Sequence, residues 1–385
     1  MISFLSQHSF SHKKVLLRVD FNVSFNSQHK ISDDTRIQQA LPTINRLLKQ
    51  ENKLILISHL GEPKNRNAKY SLRKVAKDLA KYLSSYRIKL INDFQKENAI
   101  IARQQPNEIL MLENIRFYPG EQANDEEFAK KLAALGEIYV NDAFGVSHRN
   151  NASVTQLPRL LPAYAGLLME KEINMLDKVI HLPKRPLVAI IGGSKISSKI
   201  KLIKKLIDLA DVILIGGGMA NTFLLAENYA VGESLVEKDE IKYAFKLMSD
   251  ARRAHKKMLL PLDAIVEDHP DHETSVRNIK KHDSIRDIGS ETQAIFGRQI
   301  NLARTIIWNG PVGMFEDTRF SRGTEYIYYA ITQNSEAISI VGGGDTLAAI
   351  NHKEYLDKIT HISTGGGAML EYIEKGTLPG IDALK

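Results

Sequence analysis

Apolar runs alternate with helix-period segments almost from end to end of the chain. Short continuous apolar stretches predict strands at 15–21, 54–60, 109–117, 138–144, 187–191, 212–215, 258–266, 305–308, 338–341 and 361–363. Between them lie amphipathic stretches such as 37–48 and 241–254, whose apolar residues recur at helical spacing. Pro42 falls inside the first of these, so that helix is expected either to kink or to start late. Strand runs that are apolar throughout are those buried on both faces. The βαβα order therefore predicts an α/β chain with largely parallel sheets covered by helices.

At 385 residues the chain is too long for one ordinary core. The stretch 169–179, "MEKEINMLDKV", reads as a charged amphipathic helix and leads into "HLPKRPL" with two prolines. A second βαβα series starts at Leu187 beyond it, so this helix is the expected connector between two domains. The halves repeat an architecture rather than a sequence.

Composition narrows the class. With 43% hydrophobic and 25% charged residues, and no low-complexity tract, the chain reads as soluble and globular. The opening "MISFLSQHSFSHKK" lacks the apolar core of a signal peptide, and no apolar run is long enough to cross a bilayer, so a cytoplasmic enzyme is expected. There is no cysteine, which removes disulfides, redox thiols and Cys-ligated zinc. The formal charge is 52 − 45 = +7. Aromatic residues do not interleave with the basic ones as a base-stacking platform requires, so nucleic acid is not the expected partner; the charge reads first as a solvated basic surface and next as a site for a phosphate-bearing small molecule.

Chemically distinctive residues collect at predicted strand ends, where open α/β sheets bind ligands. In the first half these are side chains: Asp20 and Asn22 at the first strand, His59 after the second, Arg116 after "ILMLENI", and His148 and Arg149 after "IYVNDAFGVS". Arg36, Arg116, Arg149 and His59 would suit a small anion, although dispersed arginines also serve as surface ion pairs. In the second half the strand ends carry glycines: Gly192-Gly193, Gly216-Gly217-Gly218, Gly310, Gly342-Gly343-Gly344 and Gly365-Gly366-Gly367. Bare backbone followed by a helix start suits phosphate. "IIGGSKISSK" puts Lys195 and Lys199 one helical turn apart, on one face if that segment is helical. Asp345 in "VGGGDTLAAI" reads first as a helix N-cap, with an Mg²⁺ ligand as the lesser alternative. No glycine loop has the Walker A or Gly-x-Gly-x-x-Gly form, and the lone Trp308 reads as core or turn packing.

Taken together, the motifs resemble those of phosphoglycerate kinase over essentially the whole length. They are "LLRVDFNV", "ISHLGEP", "LMLENIRFYPGEQAND", "VNDAFGVSHRNNASV", "IIGGSKISSKI", "LIGGGMANTFL", "IIWNGPVGMFE", "VGGGDTLAAI" and "STGGGAMLEYIEKGTLPGIDAL". The resemblance implies two Rossmann-like domains with mainly parallel sheets, joined by a helix and hinge. Residues 1–168 with 370–385 would form the phosphoglycerate-binding domain, 169–182 the connector and 183–369 the nucleotide-binding domain. It implies 3-phosphoglycerate or 1,3-bisphosphoglycerate at Asp20, Asn22, Arg36, His59, Arg116 and Arg149. It implies ATP or ADP at Gly192, Gly193, Lys195, Lys199, Asn309, Glu316, Gly342, Gly343, Gly344, Asp345 and Thr346, with Glu316 toward the ribose and Asp345 toward Mg²⁺. Arg36, Lys195 and the main-chain N–H groups near Gly344 and Gly366 would cradle the migrating phosphoryl group. Hinge closure and a monomeric state are further expectations, with no nucleic-acid or membrane partner.

Three departures stand out. Where the family has Ser-His-Leu-Gly-Arg-Pro, this chain has "SHLGEPK", with Glu62 replacing an arginine that holds substrate phosphate. Lys64 or Arg66 would be the nearest replacement cation. Ser198 stands where aspartate commonly precedes the second lysine of the Gly-Gly-x-Lys loop. "IKKHDSIRDIGSETQAIF" lacks the Gly-Trp-Met expected before "DIG", which leaves the adenine-side wall open. The expected function is a reversible Mg²⁺-dependent phosphoryl transfer from 1,3-bisphosphoglycerate to ADP. The alternative is a family-derived nucleotide-binding protein whose turnover is impaired by Glu62.

Overall fold

The structure, a computed structural model, describes residues 2–350 and 353–385. The chain divides into two compact units, one of residues 1–174 with 377–385 and one of residues 175–376. The first boundary falls within the charged helix expected between the domains, which runs Leu167–His181. The return to the first unit comes at Thr377, so the helix Gly367–Lys375 stays with the second.

The first unit contains β1 (Lys14–Arg18), the short hairpin β2 (Ser24–Phe25) and β3 (Ile31–Asp33), β4 (Lys53–Ile57), β5 (Arg87–Ile91), β6 (Glu108–Leu112), β7 (Ile138–Asn141) and β8 (Ala163–Ala165). Six of them form a parallel sheet in the order β5-β6-β4-β1-β7-β8. Val15, Leu17, Leu54 and Leu56 pack on one face with Ile37, Ile44 and Leu47 of the helix Thr35–Lys49 and Val75 and Leu79 of Arg73–Tyr82. Leu16 and Ile55, pointing the other way, are equally buried, as a two-sided sheet requires. The helix Thr35–Lys49 begins well before Pro42, so it does not start late. Pro42 lies in its interior, and the Gln38 carbonyl goes without its usual donor.

The second unit holds β9 (Leu187–Ile191), β10 (Val212–Ile215), β11 (Lys257–Leu259), β12 (Asp263–Val266), β13 (His269–Ser275), β14 (Ile285–Ile288), β15 (Thr305–Asn309), β16 (Ile338–Gly342) and β17 (His361–Ser363). The main sheet is again six parallel strands, β11-β10-β9-β15-β16-β17, and β13-β12-β14 form a separate antiparallel sheet. The stretch 258–266, expected as one strand, is two strands in different sheets, interrupted at Pro261, which has no N–H for a ladder. Trp308 is fully buried and its indole N–H donates to Gly310 O at 2.9 Å, which is core and turn packing. Each sheet reverses strand order beside its first strand, β1 or β9. That is where open α/β sheets leave a crevice at their carboxyl ends. No helix among the described residues is long and apolar enough to cross a membrane.

Candidate functional site

In the first unit, the loops that leave β1, β4 and β6 converge. Asp20 Oδ2 accepts from Arg36 Nη1 at 2.6 Å, and Asp20 Oδ1 accepts from Asn22 N at 3.1 Å and lies 3.9 Å from His59 Nδ1. Asn22 Oδ1 accepts from Gly61 N at 2.8 Å, and Gly61 O accepts from Arg116 Nη1 at 2.8 Å. The 58–71 loop is pinned by Asn114, whose amide donates to Leu60 O at 2.8 Å and to Tyr70 O at 2.9 Å. Of the expected substrate residues, Asp20, Asn22, Arg36, His59 and Arg116 are thus linked in one cluster. Arg149 follows β7 at the same end of the sheet, is exposed, and has no carboxylate partner among the described residues.

Arg18 completes this cluster and was not among the expected residues. It is a guanidinium only 1% exposed at the end of β1, donating from Nε to Ser153 Oγ at 3.0 Å and from Nη2 to His59 Nδ1 at 3.4 Å. Ser153 in turn donates to the buried Glu121 carboxylate at 2.6 Å. An arginine in an otherwise apolar strand was the available signal. A guanidinium only donates, so His59 Nδ1 is an acceptor and the imidazole proton sits on Nε2. Burial, aided by the Arg18, Arg116 and Arg36 charges, holds His59 well below its ordinary range despite Asp20, so the ring is neutral. Burial pushes the Asp20 carboxyl up, but the Arg36 and Arg18 charges and the Asn22 N–H outweigh it and leave the group below the usual range.

Glu62 faces into this cluster. Its Oε1 lies 2.9 Å from Arg116 Nη1. Neither Lys64 nor Arg66 has a contact with this cluster. Arg66 donates to Asn92 O at 2.8 Å and lies over the Phe117 and Tyr118 rings, and Lys64 is exposed.

In the second unit, the glycine turns after β9, β15 and β16 wall a cleft of about 260 Å³ lined by Gly193, Lys195, Lys199, Gly344, Asp345 and Gly366. Lys199 lies across it, donating from Nζ to Gly192 O at 2.6 Å and to Asn309 Oδ1 at 2.7 Å. Burial pushes its ammonium down to about 8, against the pull of Asp345. The helix here begins at Ile200 with Lys199 at its cap, so Lys195 and Lys199 do not stack on a helix face. Lys195 sits in the preceding loop, yet both line the cleft. That loop is held by Glu237, which accepts from Ser197 N at 3.0 Å and Ser197 Oγ at 2.5 Å, a contact not foreseen from sequence. Ser198 closes the turn through Lys195 O at 3.0 Å.

Asn309 and Thr346 tie strand ends together. Asn309 donates to Gly342 O at 2.7 Å, while the Thr346 hydroxyl donates to Gly342 O at 2.9 Å and accepts from Gly310 N at 2.7 Å. The helices Gly344–Ala348 and Gly367–Lys375 start at the cleft, and a Cβ at Gly344, Gly366 or Gly367 would meet nothing within 4 Å. Helix starts leave N–H groups without an intrahelical acceptor, and these two offer such donors to the cleft, apart from Leu347 N, which donates to Gly343 O at 3.2 Å, and Ala368 N, which donates to Gly365 O at 2.8 Å. Glu316 is exposed on the loop after β15 and does not line the cleft. A crevice bounded by Ala220, Leu224 and Val312 with Asn221, Arg286 and Asp287 adjoins Gly217, but at about 20 Å³ it is smaller than a base. Among the described residues no three His, Asp or Glu side chains gather to hold a metal. Asp345, alone on the cleft wall beside two lysines, fits an Mg²⁺ that is shared with ligand phosphates rather than caged by protein.

The family model for phosphoglycerate kinase matches residues 5–376. The chain is 45% identical to phosphoglycerate kinase of Pelotomaculum thermopropionicum over 380 residues, covering 97% of this chain and 96% of that one. It is 47% identical to that of Herpetosiphon aurantiacus over 384 residues, covering 98% and 97%. The solved structure of phosphoglycerate kinase from Coxiella burnetii superposes with a TM-score of 0.89 at 37% identity, covering 100% of this chain and 99% of that one. These matches span both units and every motif of both clusters: the chain is an enzyme of the phosphoglycerate kinase family.

Proposed function

We propose that the chain reversibly transfers a phosphoryl group between 1,3-bisphosphoglycerate and ADP, with Mg²⁺, in glycolysis and gluconeogenesis, acting as a cytoplasmic monomer. The supporting observation is the glycine-walled cleft, where Lys195, Lys199 and Asp345 meet two helix starts. Such a wall suits a polyphosphate, because backbone donors and two ammonium groups converge on one space. Mg²⁺, held by Asp345 and the phosphates, would supply charge neutralisation. Glycerate and its phosphate are assigned to the Asp20, Asn22, Arg36, His59, Arg116 and Arg149 cluster, with neutral His59 donating from Nε2.

The acceptor is a carboxylate, already ionised, so the reaction calls for no general base. Arg36, Lys195 and the main-chain N–H groups at Gly344 and Gly366 carry the work by aligning and neutralising the migrating group. Glutamate at position 62 favours weakened glycerate binding over lost turnover, since Arg36, Arg116 and Arg149 are all retained. The test is steady-state ATP consumption with 3-phosphoglycerate and Mg²⁺, coupled to glyceraldehyde-3-phosphate dehydrogenase, over a wide range of 3-phosphoglycerate. Saturable turnover is expected. No turnover from a chain that still binds ATP would favour the alternative of a nucleotide-binding protein.

A further inference from the structure

The first unit contains a cavity of about 560 Å³ that the reaction does not use, between the β2–β3 hairpin and the 68–74 segment. Its floor is apolar, formed by Val23 and Leu60, both buried, with the rings of Phe25 and Tyr70 as walls. Its rim is basic. His29, Lys69, Arg73 and Lys74 line it, and no aspartate or glutamate does. Lys69 Nζ lies 5.7 Å from the centre of the Tyr70 ring and Lys74 Nζ 5.7 Å from that of Phe25. Neither ammonium has a carboxylate partner among the described residues.

The cavity adjoins the glycerate cluster without being part of it. They share one wall, Asn22 and Gly61, whose backbone and side chain bond each other at 2.8 Å. Gly61 has φ +60°, and a Cβ there would meet Tyr70 Cε1 at 2.5 Å, so the Tyr70 ring packs directly on this peptide. Arg36, Arg116 and Arg149 do not line the cavity.

We propose that this cavity is a second ligand site, for a small planar aromatic anion such as an aryl sulfonate, carboxylate or phosphate. Two aromatic walls about an apolar floor take a flat ring by stacking. Two ammonium groups without carboxylate partners, that of Lys74 also donating to His29 O at 3.0 Å, stand at those same walls to take its anionic group, and the absence of lining carboxylates leaves nothing to repel it. A neutral ring would leave the lysines unused, and a fully hydrated anion would leave the apolar floor uncovered. This site does not depend on the kinase assignment.

The test is isothermal titration calorimetry of the full chain with naphthalene-2-sulfonate. One saturable site is expected. Its affinity should fall tenfold or more in the double variant Lys69→Glu, Lys74→Glu, and fall similarly when 2-naphthylmethanol replaces the sulfonate. Excess ATP and the variant Arg149→Gln should leave it unchanged, and circular dichroism checks that both variants are folded. Absence of saturable heat would overturn the proposal. So would binding that ignores the lysine reversal, or that ATP or Arg149→Gln abolishes, because the probe would then occupy the nucleotide cleft or the glycerate cluster.

Discussion

Arg116 Nη1 lies 2.9 Å from the Glu62 carboxylate and 2.8 Å from Gly61 O, so this guanidinium is engaged from within its own unit before any ligand arrives. Burial pulls the Arg116 guanidinium below its ordinary value, and Glu62 offsets part of that cost. The glutamate side chain is 66% exposed, which limits the pair to about 1 kcal/mol or less. A charge-assisted hydrogen bond to a substrate anion is worth about 1.5–3 kcal/mol. On the proposed assignment the ligand should therefore win Arg116, and Glu62 should attenuate binding without blocking it.

Replacing Glu62 with Gln should lower the KM for 3-phosphoglycerate by about two- to fivefold, which is what a pair worth up to about 1 kcal/mol converts to. The kcat should be nearly unchanged, because only ground-state competition is relieved. Glu62→Arg should lower KM further. Steady-state kinetics at low ionic strength checks both; an unchanged KM in both variants would show that the site never used this position.

Lys199 should couple nucleotide binding to proton uptake. Its ammonium is held down to about 8 by burial, so above that pH the free enzyme carries it partly neutral. Phosphate favours the charged form, so ADP binding near pH 8.5 should take up a fraction of a proton. Calorimetry in two buffers of different ionisation enthalpy reads this directly, and equal apparent heats would refute it. The same depression means that the unfolded chain holds more protons than the folded one between about pH 8 and 10.5. Over that window this group makes the ligand-free protein more stable as pH rises.

Gly192, at the end of β9, and Gly344, on the cleft wall, should respond differently to alanine. At Gly192 a Cβ would stand 2.1 Å from Pro311 O and 2.7 Å from Gly310 O, both backbone atoms that cannot step aside. Gly192→Ala should cost about 1–3 kcal/mol or more in urea unfolding. At Gly344 a Cβ meets nothing within 4 Å, and Gly344→Ala should change stability by no more than about 0.5 kcal/mol. Equal losses at both positions would contradict this geometry.

Asp142 accepts from Leu168 N at 2.9 Å and Met169 N at 3.2 Å at the start of the helix Leu167–His181. Burial nevertheless pushes its carboxyl up to about 6. The folded chain thus keeps a proton that the unfolded chain releases near pH 4, so this group's contribution to stability falls as pH rises from about 4 to 6. The full effect is about 3 kcal/mol at roughly 1.4 kcal/mol per pKa unit. Asp142→Asn keeps an oxygen for both N–H donors and should lose this dependence. Urea unfolding of both proteins at pH 4.5 and 7.5 measures it; identical slopes would mean that Asp142 does not titrate there.

The apolar runs at 187–191 and 212–215 became strands with those same limits, since a strand buried on both faces leaves a continuous apolar signature. The edge strands of the first sheet left none. Arg87–Ile91 carries charges and is only partly buried, and Ala163–Ala165 is short, so neither was legible. Lys195 and Lys199 were recognisable as cleft residues, but not the non-helical loop between them, which depends on Glu237 some 40 residues away.

By itself the sequence determined the α/β class, the parallel sheets, the side chains that cluster at the carboxyl end of the first sheet and the glycine turns that wall the cleft of the second unit. These follow from residue type and periodicity, which are local properties. Tertiary structure alone decided the partners. Arg18, anchored on Ser153, fixes the proton of His59 through a contact between residues 41 positions apart in the chain. Glu62 turns onto Arg116 rather than outward because Arg116 is brought to the Gly61 carbonyl beside it by the pairing of β4 with β6. An ion pair is set by where two charges meet in space, and a chain written in one dimension specifies the charges but not the meeting.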